Sequence, residues 1–162
     1  MFRKNKKGFA QDILFFGIII FIMAIIIIVG GKLRTDLNAH YQSTDMDTDS
    51  KKLMEDSSTR YSNVFGWIFF SIFMLFTLAI FMTVFMLPTH PAFFFVSIII
   101  LGISLLVLGI ISNAYEKFAE TPSMSAEATQ LAGMTPIWDN WIMIMLVIGI
   151  ISVVLLYAKL KN

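Results

Sequence analysis

The chain has 162 residues, of which 57% are hydrophobic and 14% are charged, and its mean hydropathy is +0.79. Soluble domains are about 45–50% apolar and about 25% charged, so this composition excludes an ordinary soluble domain. The formal net charge of +1 argues against a nucleic-acid-binding surface, which needs a basic excess. The sequence contains no Cys, which excludes disulfides, zinc thiolate sites and thiol catalysis.

Four apolar segments are long enough to cross a bilayer. A spanning helix needs about 20 mainly apolar residues, because the hydrocarbon core is about 30 Å thick. The segments that qualify, and that contain no Asp, Glu, Lys, Arg or His, are 13–30, 64–87, 92–112 and 141–158. Helices are expected, because each helix satisfies its own backbone donors and acceptors. The sequence therefore predicts one all-α membrane domain over residues 1–162, an integral membrane protein with four transmembrane helices in two antiparallel hairpins.

Basic residues near the ends of the spans predict the orientation. Four precede the first span and two follow the fourth, and all six are expected to hold the helix ends at the membrane surface: Arg3, Lys4, Lys6, Lys7, Lys159 and Lys161. The acidic loop 113–140 carries a single Lys against Glu116, Glu120, Glu127 and Asp139. Because cytoplasmic segments carry an excess of Lys and Arg, both termini are expected on the cytoplasmic side and the acidic loop on the far side.

The loop 31–63 is predicted to be helical at both ends. Leu33, Leu37 and Tyr41 recur every four residues and continue a stripe from the first span. Ser50 is a suitable N-cap for a second helix that runs into the second span. The first hairpin is therefore expected to extend beyond the bilayer as an antiparallel helix pair, and this pair is the expected contact with a partner.

The turn between these two helices has a partial EF-hand spacing. Asp45, Asp47, Asp49 and Asp56 occupy positions one, three, five and twelve of such a loop. Position six is Ser50 where the sharp turn needs Gly, and Asp56 is shorter than the usual Glu. The four Asp residues are therefore only weak candidates for a metal site, and the sequence favours a solvated turn that caps a helix.

The acidic loop contains signals for further helices. A short helix is predicted over residues 124–131, between two breaks at Pro residues. Thr135 is expected to be the N-cap of the fourth span, with Pro136 as its first helical residue.

All three Trp residues lie near predicted span ends. Trp67 follows the start of the second span, and Trp138 and Trp141 lie at the start of the fourth. Since Trp is enriched at membrane–water interfaces, we expect these side chains to anchor the helices, ahead of any stacking role.

No pattern in the sequence indicates catalysis. Transporters and pumps usually place ionisable groups at membrane depth, whereas the four apolar segments have none. No Ser–His–Asp set, phosphate loop or dinucleotide fingerprint occurs. The sequence predicts a protein that is not an enzyme, binds no cofactor, and has membrane lipids and other membrane proteins as partners, without sequence-specific binding of nucleic acid.

Two stretches carry a resemblance to a known group of proteins. Residues 89–95 (THPAFFF) and 112–118 (SNAYEKF) resemble small polytopic membrane proteins of tailless icosahedral viruses with an internal lipid membrane. The resemblance implies a non-enzymatic structural protein of the virion membrane, present in multiple copies and linking lipid to a capsid shell. It implies a location in the virion internal membrane or the host cytoplasmic membrane.

Two other functions remain open from the sequence. An accessory subunit of a cellular membrane enzyme complex would co-purify with redox or metal-bearing chains at fixed stoichiometry. A holin-like permeabiliser would depolarise the membrane when expressed alone.

Overall fold

The computed structural model of the chain describes residues 9–44, 47–86, 91–131 and 134–161. Its helices are α1 (Phe9–Ser43), α2 (Thr48–Met86), α3 (Pro91–Ala119), α4 (Ser125–Gln130), α5 (Thr135–Asp139) and α6 (Trp141–Lys161). These ranges contain no strand, which confirms the all-α prediction. Helices α1, α2, α3 and α6 are long and apolar enough to cross a membrane.

Helices α1 and α2 are much longer than a bilayer is thick. They contain 35 and 39 residues. At 1.5 Å per residue each is about 50–60 Å long, against about 30 Å for the hydrocarbon core. The additional turns lie in the loop 31–63, where helices were predicted. The second helix begins at Thr48, so Ser50 lies in its first turn and is not its cap. Asp47 takes the cap position, because its carbonyl accepts the Lys51 amide at 3.1 Å.

The segment before α6 differs from the prediction at its start. The short helix predicted over 124–131 is present as α4. Thr135 is the first residue of α5 and Met134 precedes it as the cap, so Thr135 is not the N-cap. Asn140 then interrupts the helix, with φ −118° and ψ 19°. Its Nδ2 donates to the Pro136 carbonyl at 3.1 Å, which stabilises the turn between α5 and α6.

The core is formed by one face of each long helix. Helix α1 packs mainly on α2 and α3, and α6 packs on α3 and α2. Buried side chains recur every three or four residues, as a helix face requires, and those of α1 are Ile13, Phe16, Ile20, Ala24, Ile27 and Ile28. On α6 the series is Trp141, Met145, Ile148, Ser152 and Leu156.

Two glycines lie where a side chain of a neighbouring helix leaves no room for a Cβ. A Cβ on Gly17 of α1 would overlap the side chain of Leu108 on α3, and one on Gly149 of α6 would lie 2.7 Å from Leu101 Cδ1. Small residues let helix backbones approach in this way in membrane proteins.

Large apolar side chains also cover the outer faces of the helices. Leu75, Ile99 and Leu106 are 67%, 63% and 73% exposed, and many others are more than half exposed. Soluble monomers rarely expose apolar surface on this scale, whereas lipid tails would cover it. The four long helices are therefore compatible with a membrane protein.

Candidate functional site

A group of polar side chains lies beside Gly31 where α1, α2 and α4 meet, and we call it the polar junction: Arg34, Thr35, Tyr61 and Glu127. Glu127 on α4 is 6% exposed and is the only buried charged side chain among the described residues. Thr35 Oγ1 donates to Glu127 Oε1 at 2.6 Å. Glu127 forms no ion pair with the described residues. Since a buried carboxylate is costly unless it is hydrogen-bonded, this contact ties α4 to α1 at a defined position.

Helix α2 contributes Tyr61 to the polar junction. The Tyr61 hydroxyl donates to the Ile27 carbonyl of α1 at 3.2 Å, and the Arg34 guanidinium lies 5.5 Å from the ring centroid. Arg34 Nε and Asn38 Oδ1 are buried without a hydrogen-bond partner among the described residues. Tyr61 therefore joins the first two long helices near the predicted end of the first span, at residue 30.

An aromatic cluster fills the space between α1, α2, α3 and α5–α6: Phe16, Phe73, Tyr115, Trp138 and Trp141. The Tyr115 and Trp138 rings stack at 4.0 Å, and the Trp138 and Trp141 rings at 4.6 Å. Trp138 and Trp141 are 6% and 1% exposed, and neither indole Nε1 has a partner among the described residues. Helices α3 and α1 cover the two rings, a stacking arrangement that the sequence did not predict, and the anchoring role of these side chains remains a prediction.

A cavity of about 450 Å³ lies between the end of α3, α4 and α5, and we call it the loop cavity. Its walls include Tyr115, Glu116, Glu120, Thr129, Trp138 and Asp139. Sequence reasoning predicted an acidic loop but no cavity in it.

The weak metal candidates do not form a cluster in the described residues. Asp45 lies outside them. Asp47 precedes α2, whereas Asp49 and Asp56 lie on α2 two turns apart, about 10 Å along its axis. An EF-hand loop has to coil around its ion, and a straight helix through these positions does not. No group of three or more potential metal-ligating side chains occurs in the described ranges.

The predicted anchors have different surroundings. Arg3, Lys4, Lys6 and Lys7 lie outside the described residues. Trp67 is 58% exposed and packs edge-on against Phe70 on the outer side of α2. Lys159 donates to the Phe85 carbonyl at the end of α2, and Lys161 is exposed. Anchoring remains a prediction for these residues.

Sequence reasoning missed the polar junction. Thr35 and Glu127 are 92 positions apart, and neither belongs to a recognisable motif. One local signal was available, since Glu127 lies in a short predicted helix next to small residues that permit close packing. No protein-family model, curated protein or solved structure matches the chain.

Proposed function

We propose that the four long helices span a bilayer as two antiparallel hairpins. Contacts between α1 and α2 support the first hairpin. Gln42 and Ile27 of α1 form hydrogen bonds with Lys51 and Tyr61 of α2, respectively. The Phe16 ring of α1 contacts the Phe73 ring of α2. In these pairs the residue number on α2 decreases as the residue number on α1 increases, as it does between antiparallel helices.

Contacts between α3 and α6 support the second hairpin in the same way. Phe94 contacts Tyr157, with ring centroids 5.8 Å apart, and Leu101 lies beside Gly149. The polar junction brings the loops 31–63 and 113–140 together, as expected if both lie on one side of the bilayer. The excess of basic residues at the termini supports a cytoplasmic position for both ends.

We further propose that the chain is a non-enzymatic structural membrane protein, which packs in lipid and links the bilayer to a surrounding protein layer. The observation that carries this proposal is the projecting helix pair, the turns of α1 and α2 beyond the predicted spans. Leu33, Leu37 and Leu53 lie on this pair and are 60%, 52% and 71% exposed. Apolar side chains on a projecting element favour contact with a protein partner. The resemblance noted above supports a virion membrane and its capsid as the setting, with multiple copies of the chain.

Purification from the source tests this proposal. The chain is expected in lipid-containing particles, resistant to carbonate extraction, and a photo-reactive residue in place of Leu53 should crosslink to the protein of the surrounding shell. The same residue in place of Leu75, which faces outward within a predicted span, is the control and should give lipid adducts. Co-purification at fixed stoichiometry with redox or metal-bearing subunits, or depolarisation by the chain expressed alone, would contradict the structural role.

A further inference from the structure

A shallow groove runs along the outer face of α2, and we call it the α2 groove. It has a volume of about 410 Å³ and is lined by Asn63, Val64, Trp67, Ile68, Ser71 and Ile72. These residues form two rows with a spacing of four, so the groove follows the helix axis. Because Val64 begins the second predicted span, the membrane insertion proposed above would place the Asn63 end of the groove at the lipid head groups.

The part of the α2 groove beyond Trp67 suits a hydrocarbon chain. Ser71 is smaller than Trp67 and Leu75, which lie one turn before and after it, and so leaves a depression between them. The Ser71 hydroxyl donates to the Trp67 carbonyl at 2.9 Å, so its proton is already used within the helix. Ile68 and Ile72 form the apolar wall beside this depression.

Hydrogen-bond donors gather at the other end of the α2 groove. Arg60, Asn63 and Trp67 are separated by three and four residues, so they lie on one face of the helix. The side chains of Asn63 and Trp67 are exposed, and neither forms a hydrogen bond with the described residues. Because side chains of a helix lean toward its N-terminus, the Trp67 indole leans toward Asn63.

Arg60 gives this end of the α2 groove a positive charge. Its ion pair with Asp56 is 3.8 Å long, and the two side chains are 80% and 69% exposed. An exposed pair of this kind contributes little, and it leaves most of the N–H donors of Arg60 free. None of the residues that line the α2 groove is acidic. The groove therefore complements a ligand with negatively charged oxygens at one end and an apolar chain at the other.

We propose that the α2 groove binds a phospholipid with an anionic head group, such as phosphatidylglycerol, and this proposal rests on the membrane insertion proposed above. Arg60 and Asn63 contact the phosphate, because guanidinium and amide N–H groups donate to its oxygens. The Trp67 indole lies beside the ester groups, at the interface where Trp is enriched. Ile68 and Ile72 contact an acyl chain. Phosphatidylcholine binds less well, because its quaternary ammonium group offsets the charge of the phosphate and is repelled by Arg60.

Fluorescence quenching by brominated lipids tests this proposal on the full chain. The protein is reconstituted in phosphatidylcholine vesicles in which part of the lipid is replaced by phosphatidylglycerol or phosphatidylcholine with brominated acyl chains. Trp67 is open to such a quencher, whereas Trp138 and Trp141 are buried. We expect brominated phosphatidylglycerol to quench more strongly than brominated phosphatidylcholine at the same mole fraction. Trp67→Phe should abolish this difference, and its persistence in that variant would overturn the proposal.

Variants locate the preference to the α2 groove. Arg60→Gln should reduce the relative affinity for phosphatidylglycerol about fivefold, the usual effect of one basic residue near an anionic surface. Asn63→Leu should also reduce it, because the phosphate loses a donor. Lys117→Gln is the matched control and should leave the preference unchanged, since it neutralises an exposed cation of α3 on the same predicted side of the membrane.

The outcomes separate this proposal from the proposed function. Equal quenching by the two lipids in protein that resists carbonate extraction, or an equal loss of preference in the Lys117 control, would overturn this proposal alone. Extraction of the protein from the vesicles by carbonate would contradict the proposed function, and this proposal with it.

Discussion

Single atoms decide how closely the helices pack. Gly17 faces Leu108, which is fully buried and therefore has little room to move when a methyl group is added. Gly102 also lies within a long helix, but a Cβ there would meet no atom within 4 Å. These two positions separate the effect of crowding from that of helix propensity.

Gly17→Ala should destabilise the protein by about 1–3 kcal/mol, because overpacking forces Leu108 or the helix backbone to shift. Gly102→Ala is the control and should be neutral or slightly stabilising, since Ala has the higher helix propensity. Thermal unfolding in maltoside micelles, followed by circular dichroism, measures both. Equal stability of the two variants would contradict the close approach of α1 and α3.

The hydrogen bond of the polar junction also acts at the scale of single residues. Glu127→Ala should cost about 1–3 kcal/mol, because Thr35 loses its acceptor in a partly buried site. Thr35→Val should cost a similar amount, and the double variant should cost less than the sum of the two. Glu55→Ala, at an exposed carboxylate, is the control and should change stability little. Additive costs for Glu127 and Thr35 would show that the two side chains are not coupled.

Among the elements, α5 and the first turn of α6 supply two buried aromatic side chains, Trp138 and Trp141. The interruption at Asn140 separates the five-residue α5 from the 21-residue α6, and Trp138 and Trp141 stack on each other from either side of it. Trp141 also contacts Phe16 of α1 and Phe73 of α2, with ring centroids 6.3 and 6.2 Å apart. One side chain of α6 thus contacts both α1 and α2.

Trp141→Ala should cost about 3–5 kcal/mol, as is usual for removal of a buried aromatic side chain. Trp67→Ala is the matched control, because this indole is 58% exposed, and it should lower the free energy of unfolding in micelles much less. Unfolding followed by near-ultraviolet circular dichroism reports on the stacked rings. A larger loss at Trp67 than at Trp141 would contradict the interior position of Trp141.

At the scale of the whole molecule, the polar junction connects the loop 31–63 with the loop 113–140. Glu127 of the acidic loop contacts the projecting helix pair at Thr35, and Lys159 near the end of the chain contacts the end of α2. A four-span arrangement accounts for both contacts, since it places the two loops together and the last residues on the opposite side.

Labelling of single cysteines tests this topology, because the natural sequence has none. Thr48→Cys and Ser123→Cys should react with an impermeant maleimide from the same side of intact cells, and Lys161→Cys only after permeabilisation. Permeabilised cells, in which all three should react, provide the control. Reaction of Thr48→Cys and Ser123→Cys from opposite sides would exclude the four-span arrangement.

The all-α class, the long apolar helices and the helical ends of the loop 31–63 follow from the sequence alone. Hydropathy and helix periodicity depend only on residues that are close in sequence. The residues of an uncharged segment such as 141–158 therefore suffice to predict that it is helical and suited to lipid. The cap of α2 at Asp47 lies three residues before the predicted cap at Ser50, because an Asp and a Ser in the same turn are both suitable caps.

The partners of the side chains depend on the tertiary structure. A Trp near a span end suits a lipid interface or an aromatic cluster equally well, and only the packing of α1, α2 and α3 against α5 and α6 buries Trp138 and Trp141. The bond between Thr35 and Glu127 and the walls of the loop cavity likewise join residues from separate helices. Such contacts depend on how the helices cross, which is a long-range property, whereas composition determines only that the helices form and which solvent they suit.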